Sequence, residues 1–181
     1  MKKTLLVLAL VVTTGSLFAQ KKTTTSATIA FDATTEKDVL PKAENKTAIA
    51  AVDTKAGTVQ FEAAVKDFAF SNATIQGHFN SPNWLNSDQY PKFTFKGKVA
   101  DLSKVNFTKD GTYTATVTGD LTIKDATKPV TAPATIVVKG ATVSATSTFT
   151  ITLADFGIAG APIEGGKVAK EPKITVSAEF N

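Results

Sequence analysis

The chain has 181 residues, 43% of them hydrophobic and 20% charged, which suits one globular domain rather than a disordered chain. It has no cysteine, a single histidine (His78), and lysine alone among its 20 basic residues. Those absences exclude a disulfide framework, a thiolate nucleophile, a Cys-ligated zinc, a lipidated cysteine, a multi-histidine metal site and bidentate guanidinium clamps. Composition therefore leans toward a binding or structural protein and implies no cofactor.

Residues 1–19 read as a secretory signal peptide. Lys2 and Lys3 form the charged start, residues 5–12 are an unbroken apolar run, and Leu17-Phe18-Ala19 precede a cleavage that leaves Gln20 first. The apolar run is too short to span a bilayer, and Thr13, Thr14, Gly15 and Ser16 interrupt it, so no stable membrane insertion is expected. The mature domain would be 20–181, periplasmic or secreted. Losing Lys2 and Lys3 lowers the net charge from +4 to +2, and the remaining lysines are scattered, so no nucleic-acid partner is expected.

Period-two alternation then runs through most of the chain. Strands are expected at 26–32, 46–53 and 57–67, the last two joined by an Asp53-to-Gly57 hairpin. Residues 71–91 break the pattern. There Ser71 or Asn72 offers a helix cap, and Pro82 after Ser81 a second helix start. A fourth strand is expected at 92–100. A fifth, at 111–124, places Tyr113, Ala115, Val117, Gly119, Leu121 and Ile123 on one face against threonines on the other. The sixth, at 129–139, carries Pro129 and Pro133, which predict a sheet edge or a bulge. Lys139-Gly140-Ala141 turns into the seventh, 142–153, whose even positions are all threonine or serine. A glycine-rich rim loop over 154–171 leads to the eighth, 172–180. Threonine occurs 29 times, in keeping with a strand-rich chain. The reading is all-β: eight antiparallel strands closed as a barrel, with a short helical or irregular excursion between strands three and four.

The segments Ser87-Asp88-Gln89-Tyr90-Pro91-Lys92-Phe93-Thr94-Phe95-Lys96-Gly97, residues 118–130 (Thr-Gly-Asp-Leu-Thr-Ile-Lys-Asp-Ala-Thr-Lys-Pro-Val) and Ala154-Asp155-Phe156-Gly157-Ile158 resemble, in order and spacing, stretches of the YceI-like family. Those proteins are lipocalin-like barrels of the bacterial periplasm or exterior that hold polyisoprenoid or related lipid chains. The resemblance covers about residues 26–181 and implies a hydrophobic small-molecule partner: an isoprenoid, a quinone-like or a fatty-acyl lipid. The chain departs from the family at the arginine that often precedes the "dFG" motif, where Ile151-Thr152-Leu153-Ala154 stand instead. No guanidinium is thus on hand for a pyrophosphate head group.

On this reading the ligand would be lined by Val59, Phe61, Val65, Phe68, Phe70, Phe79, Trp84, Tyr113, Val117, Phe149, Ile151 and Phe156, with His78 and Asn80 as head-group candidates. The same side chains would equally fill a solid core, which leaves a structural or interaction domain of the cell envelope as the alternative. Catalysis by His78 with Asp88 or Asp155 lacks a nucleophile motif around Ser81 or Ser87. The aspartates are isolated or sit at turns, so no metal site is expected. The pattern leaves homodimerisation open.

Overall fold

Alternation makes each strand two-faced, and closing the sheet buries one face completely. A computed structural model describes residues 21–181, so the expected leader over 1–19 lies outside the described residues. The strands are β1 (Lys21–Asp32), β2 (Lys42–Asp53), β3 (Thr58–Ala64), β4 (Ala69–Phe70), β5 (Lys92–Val99), β6 (Gly111–Ile123), β7 (Ala126–Lys139), β8 (Thr142–Thr150) and β9 (Lys173–Phe180). Their order is β1-β9-β8-β7-β6-β5-β3-β2, and a direct β1–β2 pairing closes the ring into an eight-stranded antiparallel barrel. The two-residue β4 is a spur on β2, where Ala43 pairs with Phe70.

Several boundaries differ from the alternation, each for a local reason. β1 begins at Lys21 because Lys21 to Thr24 pair along β2 without an apolar face to announce them. β3 stops at Ala64: the Val65 amide still bonds the Pro91 carbonyl in register with β5, but Pro91 has no amide to return the bond, and Val65–Asp67 winds into a 3-10 turn. β7 begins at Ala126 because only Lys124 and Asp125 turn the chain after Ile123. Asn72 caps helix α1 (Ala73–Asn80), its side-chain oxygen accepting from the Thr74 and Ile75 amides. The second helix expected at Pro82 is a turn instead: the Trp84 and Asn86 amides both bond back to the Ser81 carbonyl. A one-turn helix, α2 (Ala161–Glu164), punctuates the glycine-rich loop.

The barrel has unlike ends. One carries the tight turns at 54–57 and 140–141 and the 100–110 connection, while the 124–125 turn lies at the other. That other end also carries the 33–41 loop, the 65–91 excursion and the 151–172 loop. The prolines of β7 answer to pairing rather than to a sheet margin. β6 pairs with all of β7, from Ala126 to Val138, whereas β8 pairs with β7 only from Ala134 to Lys139. Pro129 and Pro133 fall in the half that β8 leaves unpaired.

Two glycines face each other in register, Gly97 on β5 and Gly119 on β6. The Phe95 ring lies flat over both. A Cβ on Gly119 would stand 2.4 Å from the Gly97 Cα and 2.7 Å from Phe95 Cζ. The missing side chains let the phenyl ring lie against the wall instead of across the lumen. Gly119→Ala is therefore expected to cost about 1–3 kcal/mol, the usual range for forced overpacking, read as a lower urea midpoint. The opposite sign is expected at Lys124, a non-glycine residue held at φ 57° in the β6–β7 turn. Lys124→Gly should raise stability by about 1 kcal/mol in the same assay, because the left-handed conformation carries no Cβ penalty in glycine.

Candidate functional site

The inward residues of the barrel wall do not meet at its centre. They enclose a cavity of about 180 Å³ that runs between the two ends. Its wall takes Val59 and Phe61 from β3, Phe93, Phe95 and Val99 from β5, Val117 and Leu121 from β6, Ile136 from β7, Phe149 from β8 and Phe180 from β9. For scale, an engineered cavity of about 150 Å³ lined by Leu, Ile and Phe stays dry and takes up benzene. This cavity is of that kind: large enough for a compact apolar group and without the polar partners that would hold water.

An aromatic plug closes the end with the long loops. Phe79 of α1 stacks against Phe70 at 4.8 Å between ring centroids, Phe68 at 5.9 Å and Phe31 at 6.0 Å. Phe68 also meets Phe93 at 5.6 Å. Trp84 and Leu85 complete the cap from the turn that follows α1, and Leu153 and Ile158 cover it from the 151–172 loop. Hydrogen bonds pin that loop. Thr35 Oγ1 and Lys37 Nζ donate to the carbonyls of Gly166 (2.8 Å) and Gly165 (3.1 Å), and the Ala169 amide donates to the Ala33 carbonyl (2.9 Å). The opposite end is closed by Phe107 and by Phe180, whose ring meets Phe61 edge-on at 6.4 Å.

Of the side chains expected at the ligand, Val59, Phe61, Phe68, Phe79, Trp84, Val117, Phe149 and Ile151 line the cavity. Val65, Phe70, Tyr113 and Phe156 do not. Val65 and Phe156 are buried in the shell behind it, and Phe70 packs on the outer side of the Phe79 plug. The Tyr113 hydroxyl turns away to donate to the Lys109 carbonyl at 2.8 Å. Neither head-group candidate lines the cavity. His78 is exposed on α1, and the Asn80 amide donates to the Gln76 carbonyl at 3.1 Å. Phe31, Phe93, Phe95 and Phe107 line it without having been singled out. The first three continue the period-two phase of their strands. Phe107 sits in an irregular connection that carries no periodic signal.

No charged side chain lines the cavity. The two carboxyls held below the usual aspartate range are turn caps. Asp32 is lowered first by the Thr34 hydroxyl that donates to it, then by the Thr34 amide, and Asp101 is lowered chiefly by the Ser103 hydroxyl. Among the described residues no three His, Cys, Asp or Glu side chains gather as a metal ion would require.

Comparison with known proteins places this barrel. The crystal structure of BcnA from Burkholderia cenocepacia superposes with a TM-score of 0.71 at 22% identity, covering 84% of this chain and 95% of that one. A polyisoprenoid binding domain from Saccharophagus degradans, implicated in plant cell wall breakdown, superposes with a TM-score of 0.74 at 14% identity, covering 90% and 98%. The YceI protein of Campylobacter jejuni gives a TM-score of 0.53 at 20% identity, covering 74% and 80%. At these identities the likeness is one of fold. No curated protein matches the sequence. The YceI-like domain profile matches residues 14–180, nearly the whole length, and the chain belongs to the YceI-like family.

Proposed function

We propose that this protein is a periplasmic or secreted carrier that sequesters a hydrophobic ligand, an isoprenoid, quinone-like or fatty-acyl chain, within its barrel. The observation that carries the reading is the apolar cavity. A packed wall would have no use for it, and a polar ligand would find no partners along most of it. Burial supplies most of the affinity. At about 0.8 kcal/mol for each methylene, a six-carbon contact contributes about 5 kcal/mol before ordering costs. A chain longer than the void is accommodated by displacing the Phe79 plug. The leader reading of residues 1–19 supports export, and the name of the Saccharophagus neighbour supports an isoprenoid as the first ligand to try.

The role is binding rather than chemistry. Among the described residues Ser147 is the only serine at the cavity, and the single histidine, His78, is exposed on α1 and does not line it. A nucleophile without a base to activate it gives no turnover.

Native mass spectrometry of residues 20–181, purified from their own envelope and then extracted with organic solvent, is the direct test. A stoichiometric added mass that extracts as a lipid is the expected result. A bare mass that stays bare after incubation with isoprenoids, quinones and fatty acids would overturn the carrier reading. A cavity-filling variant adds a second check. Ala145 lines the cavity, and Ala145→Leu should abolish ligand uptake while leaving stability unchanged or raising it by about 1 kcal/mol in urea unfolding.

A further inference from the structure

The barrel wall is incomplete at one place. The β7–β8 ladder runs from Lys139↔Thr142 to Ala134↔Ser147 and stops, although β8 continues to Thr150 and β7 reaches back to Ala126. The cause lies in the sequence. Counting by twos from the hairpin's closing pair, residues 139, 137, 135 and 133 of β7 turn their backbone groups toward β8. Position 133 is proline and has no amide to donate. Pro129 stands in the same phase farther along. The ladder ends where its next donor is missing, and the Ser147 hydroxyl makes the last tie across the gap, donating to the Pro133 carbonyl at 2.6 Å.

The cavity reaches this seam. Ala145, Thr146 and Ser147 line it in succession, although strand geometry turns Thr146 outward. On the outer surface lies a cleft lined by Thr114, Pro133, Thr135 and Thr148 that shares Ala134, Thr146 and Ser147 with the cavity. Thr146 and Ser147 border both, and because the cavity surface is almost wholly apolar their hydroxyls face the cleft. The outer cleft offers five hydroxyls and no charged side chain.

We propose that the polar end of the bound amphiphile leaves the barrel through the β7–β8 seam and is held by the Thr146 and Ser147 hydroxyls. The seat takes an uncharged hydroxyl or carbonyl end in preference to a carboxylate or phosphate. This rests on the carrier reading and adds where the head group sits and what its chemistry is. Hydroxyls satisfy a neutral donor or acceptor well, whereas a desolvated anion needs a counter-charge that the cleft does not supply. The seam also relieves the size limit of the void, since the end of the ligand need not fit inside it.

Binding of N-phenyl-1-naphthylamine, followed by its fluorescence, reports on the apolar cavity, and 1-octanol and octanoate compete with it. In the wild type 1-octanol should displace the fluorophore at lower concentration than octanoate. In T146V/S147A the fluorophore should bind within twofold of wild type, while 1-octanol weakens about three- to tenfold, the usual worth of a neutral hydrogen bond. Pro133→Val restores the missing donor without touching either hydroxyl. It should extend the ladder, narrow the seam and weaken 1-octanol while sparing the fluorophore. If the wild type takes up both probes and neither variant separates them, the seam proposal falls and the carrier reading stands. If the wild type takes up neither probe, the carrier reading fails and the seam proposal with it.

Discussion

Closure of the sheet is the constraint on which the rest depends. Once β1 pairs with both β2 and β9, every wall strand has neighbours on two sides and one face of each is sealed from water. Period-two alternation then becomes obligatory, because a slip of one residue would turn threonines into the lumen and phenylalanines into solvent. Closure also fixes a bore that side chains must either fill or leave open. Here they leave part of it open. The Gly97–Gly119 pair is the clearest instance, since two absent side chains on adjacent strands let Phe95 lie on the wall.

A closed wall leaves the ends as the remaining problem, and the protein solves the two differently. Short turns at one end bring strands back directly, so little more than Phe107 and Phe180 is needed there. The other end is spanned by three long connections that hold one another. The 33–41 loop grips the 151–172 loop through Thr35, Lys37 and Ala33, and α1 sets Phe79 among Phe31, Phe68 and Phe70. Ring contacts and hydrogen bonds, rather than ladder pairing, hold this end. Segments of that kind open at lower free energy than barrel strands.

Much of this was legible in the sequence because its physics is local. The alternating faces of β6, β8 and β9, the Asp53-to-Gly57 and Gly140 turns and the Asn72 cap each follow from residues within a few positions of one another. What escaped depends on partners far along the chain. The threonine-rich start of β1 shows no amphipathic face, yet it pairs because β2 lies beside it. Val65 reads as strand, but Pro91, which falls opposite it on the β5 side, has no amide to return its hydrogen bond. Tyr113 keeps the inward phase, but its hydroxyl needs a partner and finds the Lys109 carbonyl. His78 and Asn80 looked like a polar site because they sit among aromatics in sequence. His78 and Phe79 are adjacent on α1, and the roughly 100° step between neighbours on a helix turns Phe79 inward and His78 to solvent. The two prolines of β7 signalled an edge correctly in kind, but where that edge opens depends on the register of β8.

The open bore has an energetic meaning. Empty volume in a protein interior costs about 24 cal/mol per Å³, so a void of about 180 Å³ costs about 4 kcal/mol. Domains of this size are stable by only about 5–15 kcal/mol, and the penalty is a large share of that. It is also easily removed. Ala132, Ala134 and Ala145 all line the cavity, and replacing any of them by a larger aliphatic residue would fill space without disturbing the ladder. A barrel whose task was only to be a rigid wall would gain from such changes. Small residues at the lumen and prolines that halt a ladder beside the cavity each lower the stability of the empty protein, and each enlarges or opens the same space. An occupant that restored the lost contacts would offset these costs together.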